Sequence, residues 1–159
     1  MFSFFKNDVT IGSPVKGVIV ELNNVSDAVF SEKLVGDGIA VLPDEGVGIV
    51  CAPCNGKIKQ IFHTNHAFYI LSDTGLEIMV HIGLDTVELK GESFKRLREP
   101  GDSVHLGDPI MEVDFSEIKA RGKETVIPVL VTNMEMVSRI TQEKGTVNLS
   151  DRIMSIKTR

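Results

Sequence analysis

Ala67-Phe68-Tyr69-Ile70-Leu71-Ser72-Asp73-Thr74-Gly75-Leu76-Glu77-Ile78-Met79-Val80-His81 reads as two strands folded back on each other. Residues 67–71 and 76–81 are rich in aliphatic and aromatic side chains, and Ser72-Asp73-Thr74-Gly75 has the composition of a turn. A four-residue turn at 72–75 sets Leu71 opposite Leu76 and, further along, His66 opposite His81. Directly opposed side chains of an antiparallel pair have Cβ atoms roughly 4.5–5.5 Å apart. In this register Ala67, Tyr69, Leu71, Leu76, Ile78 and Val80 share an apolar face expected on the core. Thr64, His66, Phe68, Ile70, Glu77, Met79 and His81 share the other. A slip of one residue would place the two imidazoles on opposite faces.

The same strand signal recurs outward from this hairpin. Residues 15–22, 38–42, 48–52, 57–62, 109–113, 126–131 and 152–157 are short runs bounded by turn residues, and Asn55-Gly56 is a hairpin signal. Helical spacing is brief, at 93–98, 115–121 and 134–140. Many short strands with frequent turns predict an all-β protein, an antiparallel β-sandwich of barrel-sandwich type with a few short helices. The 159 residues fit a single domain over 11–159, after a short flexible N-terminal segment, 1–10.

Charge and composition narrow the function. Lys and Arg total 17 against 22 Asp and Glu, a net −5. This balance argues against a nucleic-acid binder, which needs a basic face, and suits a basic protein partner. No stretch approaches the roughly 20 apolar residues of a membrane span. Met1-Phe2-Ser3-Phe4-Phe5-Lys6 is too short for a signal peptide and supports at most peripheral membrane contact, so the expected location is cytoplasmic. There Cys51 and Cys54 stay reduced; their C-x-x-C has no second half, and they read as small core residues. A P-loop and a dinucleotide-binding glycine motif are both missing. A phosphoryl group handled by this chain must therefore arrive already activated.

The face bearing the histidines combines His66, His81 and Thr64 with apolar Phe68, Ile70 and Met79. Polar groups inside an apolar rim suit a docking surface. A neutral imidazole is a good nucleophile near pH 7. One histidine can attack phosphorus while the other donates N–H to the phosphoryl oxygens. The Thr64 hydroxyl, two residues from His66, can fix that ring's tautomer. The pair alone does not say which ring attacks. It also offers two ligands to zinc, one short of a catalytic site.

Thr64-Asn65-His66-Ala67-Phe68, followed by Val80-His81-Ile82-Gly83-Leu84-Asp85-Thr86-Val87-Glu88-Leu89-Lys90-Gly91, closely resembles the glucose-type enzyme IIA family of the bacterial sugar phosphotransferase system. Val29-Phe30-Ser31-Glu32-Lys33-Leu34-Val35-Gly36-Asp37-Gly38-Ile39-Ala40 does so too, and the resemblance runs from about Ile11 to the C-terminus. It implies a β-sandwich-like phosphotransferase in which His81 accepts the phosphoryl group from the phosphocarrier HPr, assisted by His66, with Thr64 in support. It implies onward transfer to the IIB domain of a sugar permease, and regulatory proteins docking on the same face. By the same match Asp27, Val29, Phe30, Phe62, Phe68, Met79, Asp85 and Val87 surround the site and meet the partner. No cofactor is expected, and zinc only at a partner interface, on His66 and His81.

Three other readings compete, the foremost a pure binding or regulatory module docking through this same face, which is compatible with carrier activity. His81-Ile82-Gly83-Leu84-Asp85 gives the H-x-x-x-D of a zinc hydrolase of related fold, without the H-x-H that would complete it. Residues 101–109 resemble a biotinyl-domain hairpin, but Glu135 stands where an attachment lysine must be. His63 and His105 have no opposed partner and read as solvated.

Overall fold

The computed structural model describes residues 8–159, and the expectations for residues 1–7 lie outside the described residues. The first half of the chain contains β1 (Asp8–Gly12), β2 (Gly17–Val20), α1 (Ala28–Ser31), β3 (Asp37–Pro43), β4 (Val47–Cys51), β5 (Gly56–Ile61), β6 (Ala67–Ser72) and β7 (Glu77–His81). The second contains β8 (Phe94–Arg96), β9 (Ser103–Val104), β10 (Pro109–Asp114), α2 (Phe115–Ala120), β11 (Ile127–Val131), β12 (Val137–Gln142), β13 (Thr146–Val147) and β14 (Arg152–Thr158). The strands form an eight-stranded sheet, ordered β13-β2-β3-β11-β7-β6-β5-β9, and two three-stranded sheets, β1-β14-β12 and β4-β10-β8. This is the antiparallel all-β sandwich expected from the strand pattern. β1 pairs with β14 from Asp8 onward, so residues 8–10, expected in a flexible leader, belong to the fold.

Strand alternation divides the apolar residues of the large sheet between two clusters. Its inner face contributes Ile39, Val41, Phe68, Ile70, Ile78, Val80, Val129 and Val131 to the main core, which Val50, Met111, Val113, Met154 and Ile156 of the smaller sheets complete. Its outer face contributes Ala40, Ala67, Met79 and Leu130 to a second cluster. Leu22, Val25 and Phe30, from the segment that ends in α1, cover that outer face.

The β6–β7 hairpin differs from expectation by one residue. The Ser72 N–H donates to Leu76 O at 2.8 Å, and the Gly75 N–H donates to Ser72 O at 3.0 Å. The loop is therefore three residues, 73–75, with Gly75 at φ +91°, a conformation glycine adopts without a Cβ penalty. Ala67 faces His81, Tyr69 faces Met79 and Leu71 faces Glu77. β7 keeps its expected faces, whereas those of β6 are reversed. Phe68 and Ile70 are completely buried in the main core, and Ala67, Tyr69 and Leu71 lie on the outer face.

Other local signals yield to tertiary pairing. Asn55-Gly56 does not close a hairpin, because β4 and β5 lie in different sheets. Asn55 Oδ1 instead accepts the Leu106 N–H at 2.7 Å, and a Cβ on Gly56 would lie 2.2 Å from the Leu71 carbonyl oxygen. Residues 93–98, expected helical, contain strand β8, whose Phe94 pairs with Val113. Residues 134–140 begin with a 3-10 turn, Met134–Met136, and continue as β12, drawn into register with β14. Cys51 and Cys54 are buried free thiols, pushed up by burial to about 11 and about 12, which makes them unreactive core residues.

The register carries a direct test. Phe68→Ala should destabilise the protein by about 3–5 kcal/mol, the usual cost of emptying a buried aromatic site. Leu71→Ala, at a position 44% exposed, should cost less than about 1 kcal/mol. Urea denaturation of both variants gives the order; the reverse order would restore the four-residue loop.

Candidate active site

His66 and His81 meet although they are not opposed in register. Phe62 donates its N–H to Ala67 O at 2.9 Å, closing a loop of residues 63–66 between β5 and β6. Asn65 turns this loop at φ +63°, and its N–H donates to Phe62 O at 2.7 Å. His66 thus stands just outside the strand, free of its alternation. Ala67, the residue facing His81, has only a methyl group. The rings lie 5.0 Å apart, centroid to centroid, at 79°.

Each ring is held at Nδ1. His81 Nδ1 donates to the Gly83 carbonyl oxygen at 2.6 Å. His66 Nδ1 is 2.7 Å from Thr64 Oγ1. Packing fixes the ring planes: Phe30 lies 4.9 Å from His81, and Phe62 meets His66 edge-on at 5.3 Å. The Asp27 carboxylate accepts the Val29 N–H at 2.9 Å, capping α1 and seating Phe30 beside His81.

Both imidazoles are biased toward the neutral form. Burial, followed by the neighbouring His81 and His63, lowers His66 to about 4. Burial also lowers His81, opposed by the bond to Gly83 and by the fields of Asp27 and Asp85. In both rings Nδ1 is engaged by its anchor, which leaves Nε2 of each as the nitrogen remote from it.

The structure brings Thr64, His66 and His81 together and arranges the expected partner residues unevenly around them. Val29 and Val87 are 43% and 49% exposed, Asp85 is exposed and Phe62 is half-buried. Phe30 and Met79 are buried in the outer-face cluster and form the floor of the site. Phe68 is corrected: the three-residue loop turns it into the main core, where no partner can reach it. His63 and His105 are exposed, and His63 acts on the site only through its field at His66.

Three features escaped the sequence reading. Arg96 of β8 donates from Nε to Asn65 Oδ1 at 3.0 Å and from Nη2 to Phe62 O at 3.4 Å, bracing the loop that carries Thr64 and His66. The carbonyl of Gly83 anchors His81, and a glycine two residues after a histidine is only a weak signal of that. Leu34, 70% exposed just beyond α1, adds an apolar side chain to the surface.

Among the described residues no three His, Cys, Asp or Glu side chains are grouped to hold a metal ion, and no helix is long and apolar enough to cross a membrane. A cleft of about 400 Å³, lined by Val15, Pro43, Val47, Ile49, Phe115 and Leu149 among others, contains neither histidine.

Residues 9–137 match the family described as phosphoenolpyruvate-dependent sugar phosphotransferase system, EIIA 1. The chain is 44% identical to the PTS system glucose-specific EIIA component of Buchnera aphidicola subsp. Baizongia pistaciae, covering 91% of this chain and 90% of that one. It is 44% identical to the same component of Haemophilus influenzae, over 92% and 87%. The glucose-specific EIICBA component of Staphylococcus carnosus is 39% identical over 91% of this chain, which spans 21% of that longer protein. Among solved structures, the glucose permease IIA of Mycoplasma capricolum superimposes with a TM-score of 0.86 at 32% identity, over 96% and 97% of the two chains. Sequence, fold and paired histidines converge: the chain belongs to the EIIA family of the phosphoenolpyruvate-dependent sugar phosphotransferase system, whose members are phosphotransferases that carry a phosphoryl group.

Proposed function

We propose that His81 carries the phosphoryl group, taking it from the phosphocarrier HPr and giving it to the IIB domain of a glucose-type permease in the cytoplasm. The observation that carries this reading is the 2.6 Å bond from His81 Nδ1 to the Gly83 carbonyl. A carbonyl oxygen can only accept, so Nδ1 holds the proton and the lone pair of the neutral ring stands on Nε2. Nδ1 of His66 faces a hydroxyl instead, and a hydroxyl can donate. When Thr64 donates, the His66 proton sits on Nε2. One ring then offers a nucleophile and its neighbour a hydrogen-bond donor.

In the transfer, the Nε2 lone pair of His81 attacks phosphorus. The N–P bond forms as the bond to the donor breaks, and that electron pair leaves with the donor. The Nε2–H of His66 donates to a phosphoryl oxygen, where negative charge must be stabilised. The reverse sequence hands the group on. The chemistry uses no cofactor. Zinc, with only His66 and His81 as ligands here, would be captured only where a partner adds another ligand.

The docking face has exposed Val29 and Val87 for apolar contact, with Asp27 and Asp85 as acidic points for a basic partner. Relatives named glucose-specific support the permease type, and the Staphylococcus carnosus EIICBA component supports the hand-off to IIB. Proteins regulated by docking would use the same face.

With enzyme I, HPr and radiolabelled phosphoenolpyruvate, His81→Ala should abolish labelling of the chain. His66→Gln keeps a donor and should still accept label while delivering it to IIB on the order of 100-fold more slowly. Full labelling of His81→Ala, with none in His66→Ala, would reverse the assignment of the nucleophile.

Docking should separate by salt. Asp85→Asn should slow association with HPr at low ionic strength, and the effect should shrink at high salt, where exposed charges are screened beyond about 8 Å. Val87→Ala should weaken binding equally at both. Titrations at two salt concentrations distinguish the two behaviours, and wild-type binding by both variants would remove this face as the dock.

The neutrality of His66 is testable through stability. Below pH 6.5 the unfolded chain binds a proton at this residue, while the native chain does so only below about 4. Acidification through that window therefore favours unfolding. Between pH 7.5 and pH 5, wild type should lose about 2 kcal/mol more stability than His66→Gln. Parallel urea curves for the two proteins check this, and equal losses would mean that His66 titrates normally.

A further inference from the structure

The Gly83 carbonyl that anchors His81 is itself held by two successive peptide groups. In the first, the Gly83 N–H donates to Val126 O at 3.1 Å and the Ile82 carbonyl accepts from Thr86 Oγ1 at 2.6 Å. In the second, the Leu84 N–H donates to Glu124 O at 3.0 Å, and the Gly83 carbonyl accepts from His81. Of the groups that pin these peptides from outside the His81 ring, only Thr86 is a side chain.

Thr86 is completely buried and meets this turn twice. Its hydroxyl holds the Ile82 carbonyl, and its methyl lies where a side chain at position 83 would begin, 2.6 Å from an ideal Cβ. Gly83 sits at φ +81°. A glycine lets its flanking peptides rotate at little steric cost, so an external hold on them matters more here than at another residue. If the peptides turn, the acceptor for His81 Nδ1–H is lost and the ring is free to exchange tautomers.

We propose that Thr86 is a positioning residue that determines which ring nitrogen of His81 is free to react. This rests on the reading of His81 as the phosphoryl acceptor. The hydroxyl holds the Ile82 carbonyl and so fixes the peptide entering Gly83, whose own carbonyl meets Nδ1; with that entry fixed, the lone pair remains on Nε2. The methyl keeps the turn filled beneath Gly83. Thr86 does not touch the phosphoryl group.

The test compares Thr86→Val, which keeps the shape and loses the hydroxyl, with Thr86→Ser, which keeps the hydroxyl. In protein carrying ¹⁵N-labelled histidine, imidazole ¹H–¹⁵N spectra read the tautomer of His81 before any phosphorylation. Wild type and Thr86→Ser should show one tautomer, protonated at Nδ1. Thr86→Val should show a mixture, and its labelling from HPr should slow on the order of 10–100-fold, with Thr86→Ser within about threefold of wild type. A folded Thr86→Val protein with the wild-type His81 spectrum would overturn the proposal, whatever its rate. Should Thr86→Val fail to fold, Thr86→Ala, which inserts no new group, is read by the same criterion. The spectrum is independent of turnover. If the tautomer shifts as expected but phosphorylation is found on another residue, the acceptor assignment fails and the positioning role stands.

Discussion

A three-residue loop decides which way β6, one of the eight strands of the large sheet, faces. Because 73–75 closes with Gly75 left-handed, β6 enters in a register that turns Phe68 and Ile70 inward and Ala67 outward. The pairing of Ala67 with His81 follows from that placement. Ala67, with only a methyl group, stands opposite His81, and Tyr69 lies across from Met79 on the outer face. The outer face is covered in turn by Leu22, Val25 and Phe30, which bury Ala67 and Met79 beneath the histidines.

Around this placement the two histidines receive different treatment from similar chemistry. Both are buried enough to disfavour charge, but only His81 feels Asp27 and Asp85, which partly restore its proton affinity. His66 has the opposite neighbours, two other imidazoles that oppose its protonation. The anchors differ as well: a carbonyl dictates a tautomer, whereas a hydroxyl adapts to one. Backbone at one ring and side chain at the other give two identical residues different chemical character.

Much of this was legible in the chain. The alternation in β7 placed Ile78 and Val80 inside and Met79 and His81 outside, and the spacing of Thr64 from His66 anticipated their contact. The hairpin register was not legible, because Ser72-Asp73-Thr74-Gly75 serves equally as a four-residue loop or as three residues after a strand end. The choice depends on whether Ser72 continues the ladder, and only its bond to Leu76 settles that. The histidines met despite the error because His66 lies beyond the strand, where alternation no longer applies. β8 and β12 were hidden for a related reason: their local spacing is weak, and distant β10 and β14 impose extended structure on them. Arg96, contributed by a strand that local pattern does not reveal, could not be connected to the histidine loop in advance.

The capped start of α1 has a consequence for binding kinetics. Asp27 ties the segment bearing Val29 and Phe30 to its own backbone, and Arg96 braces the loop on the other side of the histidines. An incoming surface therefore meets groups whose conformational freedom was already surrendered during folding. Little further ordering is required on this side of the encounter, so a modest contact area is enough for a productive complex. Small, pre-ordered interfaces also separate readily. In the proposed relay, where one patch serves two partners in turn, residence time would limit the flow as much as affinity.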